Sequence, residues 1–292
     1  MSRTVIAVFA AVALALSCAP PALAARSSVP AAVSAETVSQ IRQAIDEQRL
    51  VDAARLLDAA LLNGARDPRL SLLSGDISLA RANYGLALAS YRAAQEAPET
   101  RAASLEGQGV ALSLMQRTDE AMAALLAAVQ ANPSAWRAWN ALGSEYDRNA
   151  QWQKAEDAYK HSLEASGGAA IVLNNRGYSR LLQRRREEAV ADLVAALDKK
   201  PNFPEARTNL RLALALGGDY ERAIAGGTPG DQAALLNNAG FAAGMRGDYA
   251  QAEDLLGRAL KVKSEYYARA AENLKIVRAL AAGASPAGHA TP

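Results

Sequence analysis

The fold is decided by residues 136 to 201, WRAWNALGSEYDRNAQWQKAEDAYKHSLEASGGAAIVLNNRGYSRLLQRRREEAVADLVAALDKKP, which contain two copies of one pattern 34 residues apart. In each copy a glycine (Gly143 or Gly177) is followed twelve residues later by an alanine (Ala155 or Ala189), with a turn between them. Larger residues lie four positions from these small ones. Because small residues let two helix axes approach closely, each copy predicts a pair of antiparallel helices.

The same register continues along most of the chain. Six alanines follow one another at steps of 34 residues and a seventh after a step of 29: Ala53, Ala87, Ala121, Ala155, Ala189, Ala223 and Ala252. Glycine stands twelve residues before five of them, at Gly75, Gly109, Gly143, Gly177 and Gly240. A large residue stands four residues after six of them, at Leu57, Tyr91, Leu125, Tyr159, Leu193 and Leu256. Such self-similarity is typical of a helical repeat array.

This pattern resembles the tetratricopeptide (TPR) repeat, a pair of antiparallel helices that stacks on its neighbours. The resemblance implies an all-α fold, an α-solenoid of about seven TPR helix pairs with a C-terminal capping helix. No single repeat buries its apolar face alone, so we expect the array to be stable only when its repeats are stacked.

The register places a TPR superhelix at 34–282. Its repeats lie near 34–67, 68–101, 102–135, 136–169, 170–203, 204–232 and 233–266, with a cap at 267–282. Repeat six departs from the pattern, because Arg211 replaces the small residue and the run GGTPG at 226–230 cannot continue a helix. We expect a bend or a loosened joint there. The tail at 283–292 is small and polar and is predicted to be disordered.

The N-terminus has the layout of a secretory signal peptide at 1–24, followed by a linker at 25–33. An apolar run ends near Leu16, and Ala22 and Ala24 form a small-residue cleavage site. We therefore expect export. Cys18, the only cysteine, ends a segment (LALSC) that resembles a lipoprotein signal. Two interpretations stay open: Cys18 carries a lipid anchor, or it is lost with the signal peptide.

Composition argues against several classes of function. Lys and Arg number 32 against 30 Asp and Glu, so the chain lacks the positive field that attracts nucleic acid. With only His161, His289 and Cys18, no metal-ligand cluster and no nucleophile–histidine set can be argued. We predict no catalytic residue, no metal and no cofactor, and contact with a membrane only through the candidate lipid anchor.

In TPR proteins the first helix of each pair lines a concave groove, and Asn175, Asn209 and Asn238 stand at a phase that faces it. The resemblance implies that these amides grip the backbone of a bound extended peptide, since an amide both donates and accepts hydrogen bonds. The alternative is a scaffold role, because Asn at this phase also belongs to the repeat consensus. Tyr178 and Phe241, three residues further along, are expected to serve as aromatic anchors.

Some TPR proteins hold a carboxylate with a clamp whose first Lys lies at one fixed position of the repeat. Here that position is occupied by Asn140, Asn174 and Asn237. The sequence therefore does not favour binding of a free C-terminal carboxylate.

The C-terminal half has three further stretches of note: NNRGY at 174–178, ARTNL at 206–210, and NN at 237–238 with MRGDY at 245–249. Together they resemble the TadD family, the TPR proteins of Tad (tight-adherence, Flp-type) pilus loci. The resemblance implies an outer-membrane lipoprotein that faces the periplasm and helps a pilus secretin to assemble or localise.

Three hypotheses follow. The first is a non-catalytic periplasmic adaptor for Tad pilus assembly, binding proteins or extended peptides. The second is a general cell-envelope TPR adaptor for another assembly or secretion machine. The third, an enzyme or its regulatory subunit, is the least favoured, because the array occupies nearly the whole mature chain.

Overall fold

The computed structural model describes residues 33–262 and 267–283, and within them the chain is helical, with fifteen helices and no strand. The helices are α1 (Ala35–Asp46), α2 (Leu50–Leu62), α3 (Pro68–Ala80), α4 (Tyr84–Ala94), α5 (Pro98–Leu114), α6 (Thr118–Ala131), α7 (Trp136–Arg148), α8 (Trp152–Ser166), α9 (Ala170–Leu182), α10 (Arg186–Lys199), α11 (Pro204–Gly217), α12 (Tyr220–Ile224), α13 (Gln232–Arg246), α14 (Tyr249–Val262) and α15 (Ala268–Ala281). They form seven pairs and a final single helix, which confirms the predicted fold class.

The pairs stack in chain order. Each odd-numbered helix from α1 to α13, the first of its pair, packs on its own partner and on the first helix of the next pair, and α13 contacts α15 in the same way. No two second helices contact each other within the described part of the chain. The first helices therefore lie close together on the concave side of the solenoid, and the second helices lie spread apart on its convex side.

The register residues build the interfaces. All seven register alanines are buried, six of them fully and Ala223 with 3 % of its surface exposed. A Cβ on Gly143 would lie 2.6 Å from Tyr159 Cε1, and one on Gly177 would lie 2.9 Å from Leu193 Cγ. A methyl group has no room at these distances, so glycine is required where a large residue of the second helix packs on the first.

The turn inside every pair contains one residue in the left-handed region, always at the same register position. These residues are Gln48, Ala82, Gln116, Ala150, Arg184, Gly218 and Gly247, with φ between 53° and 91°. The reversal lets the backbone N–H of the residue directly after the left-handed one reach back to the helix, as when Gln151 N donates to Tyr146 O at 2.8 Å. Only the sixth and seventh pairs use glycine here, although this conformation costs a non-glycine residue about 1 kcal/mol.

Repeat six reverses the usual packing. Its second helix, α12, ends at Ile224, and Gly227 falls where the other pairs carry the large residue of the second helix. On α11, Arg211 stands where five pairs carry glycine, and its Nη2 donates to Ala225 O at 3.1 Å. In the regular pairs the first helix carries the glycine and the second helix carries the large residue. In the sixth pair the large residue, Arg211, is on the first helix, and the glycine, Gly227, follows the second. The structure thus shows a truncated second helix in repeat six, and the bend or loosened joint expected there stays a prediction.

A partly buried ion network joins the fourth and fifth pairs. Asp192 on α10 accepts hydrogen bonds from Arg176 Nε and Nη2 at 2.8 and 2.7 Å, and from Arg180 Nη1 at 2.9 Å. Arg180 Nη2 also donates to Glu156 Oε1 on α8 at 2.6 Å. Burial acts to raise the pKa of Glu156, but Arg180, Arg185 and Arg176 outweigh it and hold this pKa below its usual value.

Several predicted features lie outside the described residues: the signal peptide, Cys18, the linker up to residue 32, and the tail from residue 284. Val33, which we placed in the linker, is buried against the first pair, and its carbonyl oxygen accepts a hydrogen bond from Arg69 Nη2 at 3.1 Å. No helix within the described ranges is both long enough and apolar enough to cross a membrane.

Candidate functional site

The groove face of α9 carries a row of exposed residues at helical spacing. Ile171, Tyr178 and Leu182 are 40 %, 44 % and 48 % exposed, and Asn175 lies between them. Because these side chains are exposed, they contribute little to the packed interior of the array. The row is therefore a candidate contact surface for another molecule.

The row continues on the next two first helices. Leu212 on α11 and Phe241 on α13 are 40 % and 43 % exposed, and Met245, one turn after Phe241, is more exposed still. Asn238 is exposed on the same face of α13. Tyr178 and Phe241, predicted from the sequence as anchors, thus both lie on the concave surface with their rings accessible.

The predicted asparagines take part in a ladder of side-chain amides that crosses the groove. Asn209 Nδ2 donates to Asn174 Oδ1 at 3.0 Å, Asn174 Nδ2 donates to Asn175 Oδ1 at 3.1 Å, and Asn175 Nδ2 donates to Asn140 Oδ1 at 3.0 Å. The ladder joins α7, α9 and α11. Asn174 and Asn175 both donate and accept, Asn209 only donates and Asn140 only accepts, so the row ties neighbouring first helices together through hydrogen bonds.

A second, shorter ladder lies at the C-terminal end. Asn273 Nδ2 on α15 donates to Asn237 Oδ1 at 3.0 Å, and Asn237 Nδ2 donates to Asn238 Oδ1 at 3.2 Å. The two ladders do not meet, because Thr208 stands on α11 where α9 carries Asn174, and its hydroxyl donates to Pro204 O at 3.0 Å. Asn238 consequently ends its ladder, accepting one hydrogen bond through its Oδ1.

The structure thus separates three residues that the sequence grouped together. Asn175 and Asn209 are half-buried and each uses an amide N–H in the scaffold, whereas Asn238 is exposed and uses only its oxygen. Four ladder members were not predicted as site residues: Asn140, Asn174, Asn237 and Asn273. The adjacent pairs Asn174-Asn175 and Asn237-Asn238 were the signal available in the sequence. In each pair the first Asn is buried and donates to the second.

A first cavity, of about 1020 Å³, opens between the first helices of the first four pairs. Its walls carry both signs of charge, including Asp76 on α3, Glu106 on α5 and Arg137 on α7. Burial raises the pKa of Asp76, although the Tyr91 hydroxyl donates to its Oδ1 at 2.8 Å. Burial also raises the pKa of Glu106, and the charge of Asp76 raises it further. This part of the groove therefore loses negative charge as the pH falls.

Replacing Asp76 with Asn is expected to stabilise the protein at neutral pH. The pKa of Asp76 is higher in the folded than in the unfolded chain, so its stabilising contribution is present below the unfolded pKa and is lost as the pH rises through the folded one. The amide introduced by Asp76→Asn would keep an acceptor for Tyr91 without a buried charge. Urea unfolding should therefore show a higher unfolding free energy than wild type at pH 7, and a smaller gain at pH 4.

The control is Asp58→Asn, which removes an exposed carboxylate from α2. A lower unfolding free energy for Asp76→Asn at pH 7 would contradict the assigned cost of burying the Asp76 carboxylate.

A second cavity, of about 590 Å³, lies between α11 and α13 and reaches Ala223 on α12. Most of its lining is apolar, with Leu212, Leu216, Leu235, Phe241 and Met245. Its polar lining includes Arg207, Arg211, Asp231 and Asn238. Of the residues predicted from the sequence, Asn238 and Phe241 line this cavity, whereas Asn175, Asn209 and Tyr178 do not.

No group of three or more His, Cys, Asp or Glu side chains that could hold a metal ion occurs among the residues that the structure describes. His161, on the exposed face of α8, stacks on Trp139 with the ring centres 4.7 Å apart. The candidate site is therefore a surface for contacts, made of apolar side chains, amides and a few charges.

Paired helices stacked in this way define an α-solenoid, and comparison with known families agrees. The family model described as tetratricopeptide repeat matches residues 107–170 and 174–226. The matched segments are thus similar to tetratricopeptide repeats, and the paired helices of the described residues have the same architecture, which is consistent with a scaffold for protein interactions. None of the curated proteins compared with the chain matches it.

Solved structures show the same fold at low sequence identity. A chain of the APC/C hetero-tetramer Cut9-Hcn1 has a TM-score of 0.57 at 14 % identity, over 82 % of this chain and 48 % of that one. The C-terminal part of a TPR repeat-containing protein from Cytophaga hutchinsonii has a TM-score of 0.56 at 16 % identity, over 81 % and 99 %. A TPR protein from Thermus thermophilus has a TM-score of 0.56 at 19 % identity, over 61 % and 97 %.

Proposed function

We propose that this protein is a non-catalytic adaptor that binds extended segments of partner proteins in its concave groove. The observation that carries the proposal is the row of exposed apolar residues on α9, α11 and α13, beside the amide ladders. Large side chains left exposed along one continuous face are typical of a contact surface.

The spacing of the first helices suits an extended chain. Packed helices lie about 9 Å apart, so the distance from α9 to α13 is about 18 Å. An extended strand rises about 3.3 Å per residue, so about six residues of a partner would cover it. Tyr178, Leu212 and Phe241 would each contact a different side chain of that segment, and Asn238 would bind its backbone.

For the cellular role we propose a periplasmic adaptor in Tad pilus assembly, with a pilus secretin as partner and, if Cys18 is lipidated, an anchor in the outer membrane. The support is the N-terminal signal layout and the three stretches near residues 174, 206 and 237 that resemble the TadD family. The alternative is an adaptor for another envelope assembly or secretion machine, which the same groove would serve.

Site-specific photocrosslinking tests both the groove and the partner. A photoreactive phenylalanine analogue is placed at Tyr178 or at Phe241, which are exposed and hydrogen-bonded to neither ladder. Matched controls place it at Lys160 on α8 or Glu187 on α10, which are exposed on second helices. Replacing the ladder asparagines is avoided, because it would leave the buried Asn174 amide without partners and cost about 1–3 kcal/mol.

After irradiation of the native envelope, we expect the same partner segment at both groove positions and at neither control position. Recovery of a pilus secretin or another pilus component would support the pilus role, and recovery of a different envelope machine would contradict it. Crosslinks that form only at Lys160 and Glu187 would contradict the groove as the binding site.

A further inference from the structure

The cavity between α11 and α13 is a product of the irregular sixth repeat. In five pairs, a large side chain of the second helix packs against glycine on the first. In the sixth pair Gly227 supplies no side chain to this interface, and Arg211 of the first helix donates to Ala225 O. A Cβ on Gly227 would lie 2.3 Å from Leu235 Cδ1, so the loop after α12 packs directly on α13. The cavity lies beside this loop, between α11 and α13.

Its apolar walls are accessible from the groove. Leu212, Phe241 and Met245 at the mouth are 40 %, 43 % and 66 % exposed, and Leu216 and Leu235 lie deeper and are half-buried. A volume of about 590 Å³ is ample for one large apolar side chain and the backbone next to it. Burying one such side chain contributes about 2 kcal/mol.

Two cationic side chains at this cavity form no close ion pair. Arg207 and Arg211 form no ion pair within 4.0 Å in the part of the chain that the structure describes, and each is seen to donate only to a carbonyl oxygen, of Pro201 and Ala225 respectively. Asp231 also lines the cavity, but its Oδ2 accepts from the Thr228 hydroxyl at 2.7 Å and from Thr228 N at 3.3 Å. Hydrogen bonds from Thr228 lower the pKa of Asp231, and the nearby charge of Arg211 lowers it further, so Arg211 faces one carboxylate at a distance. The cavity thus presents more positive than negative charge to a ligand.

We propose that this cavity is a specificity pocket for an extended partner segment in which a large aliphatic residue is followed two positions later by an acidic one, because alternate side chains of an extended segment point the same way. The aliphatic side chain enters between Leu212, Phe241 and Met245. The carboxylate binds Arg211 and Arg207, whose guanidinium groups still have free N–H donors in the planar arrangement that suits a carboxylate. The exposed amide of Asn238 binds the backbone between them. The inference rests on the proposed groove function and adds the chemistry of the ligand.

The test uses defined peptides and the purified chain. Fluorescein-labelled, C-terminally amidated octapeptides in a Ser/Gly frame carry a central Leu-Ser-Asp, Ser-Ser-Asp or Leu-Ser-Lys motif (the Leu-Asp, Ser-Asp and Leu-Lys peptides), and fluorescence anisotropy gives their dissociation constants. The protein variants are Arg211→Gln and Arg207→Gln, in which Gln keeps a donor for the carbonyl contact. The control is Arg222→Gln on α12, which removes an exposed guanidinium that does not line the cavity. Circular dichroism checks that every variant is folded.

The Leu-Asp peptide should bind at least tenfold more tightly than either of the other two, and tenfold corresponds to about 1.4 kcal/mol. Arg211→Gln and Arg207→Gln should each remove most of that preference over Leu-Lys, while Arg222→Gln should not change it. Equal binding of the three peptides, no binding of Leu-Asp at about 1 mM, or unchanged preference in both cavity variants would overturn the pocket. Crosslinking from Tyr178, outside the cavity, would still report groove binding in that case, so the two failures can be distinguished.

Discussion

Ala155→Arg is expected to lower the free energy of unfolding by about 3–5 kcal/mol, because it would place an unpaired charge in an apolar interface. Ala155 is fully buried, in a cluster with Tyr159 and Val172, where α8 meets its neighbours. Core packing at this density has no space for a long side chain. Urea unfolding monitored by circular dichroism measures the change.

The matched control is Gln153→Arg, which adds the same side chain two residues earlier on the exposed face of α8. There the new guanidinium can pair with Asp157, which now accepts a hydrogen bond from Gln153 at 3.1 Å. We expect a change within about 0.5 kcal/mol for this variant. A folded Ala155→Arg protein as stable as Gln153→Arg would show that the repeat register is wrong.

Asp192→Ala is expected to destabilise the protein by about 3 kcal/mol, the second largest effect. The Asp192 side chain is 7 % exposed, and the side chains of its partners Arg176 and Arg180 are 18 % and 12 % exposed. Without the carboxylate, Arg176 keeps only a weak contact with Glu156, at 4.0 Å. Two largely buried cations, one turn apart on α9, would then share Glu156 on α8, and Arg180 would keep one further contact, with Glu188 at 3.8 Å.

The control for this prediction is Glu187→Ala on the same helix, which removes an exposed carboxylate. Both variants are compared with wild type by urea unfolding at pH 7. If Asp192→Ala and Glu187→Ala lower the unfolding free energy equally, the buried ion network contributes no more to stability than one exposed carboxylate does.

Much of the fold could be predicted from the repeat register. The all-α class, the seven pairs and the final helix were predicted correctly, because the small residues that allow close helix approach recur at a fixed period. The early end of the second helix in repeat six was also foreseen, from the glycines and proline at 226–230. The left-handed residue in every turn was not predicted, since Gln48, Ala82 and Arg184 are not residue types that signal it.

The candidate site could be predicted only in outline. The sequence placed Tyr178 and Phe241 on one face, and both are accessible there. It could not distinguish Asn175 and Asn209, which hold neighbouring helices together, from Asn238, which is exposed. The peptide-binding role of all five residues stays a prediction for the crosslinking experiment.

The sequence by itself determined which helices pair and which residues lie in their interfaces, because burial of small and large residues at a period of 34 follows from helix geometry alone. Only the tertiary structure decided where the amide ladders run and where they stop, since hydrogen bonds of about 3 Å between residues 35 or 36 apart depend on the rotation of each helix against the next. It also decided the cavity at the sixth repeat. That space depends on the path of the loop after Ile224 and on the direction of the Arg211 side chain, neither of which a repeat pattern specifies.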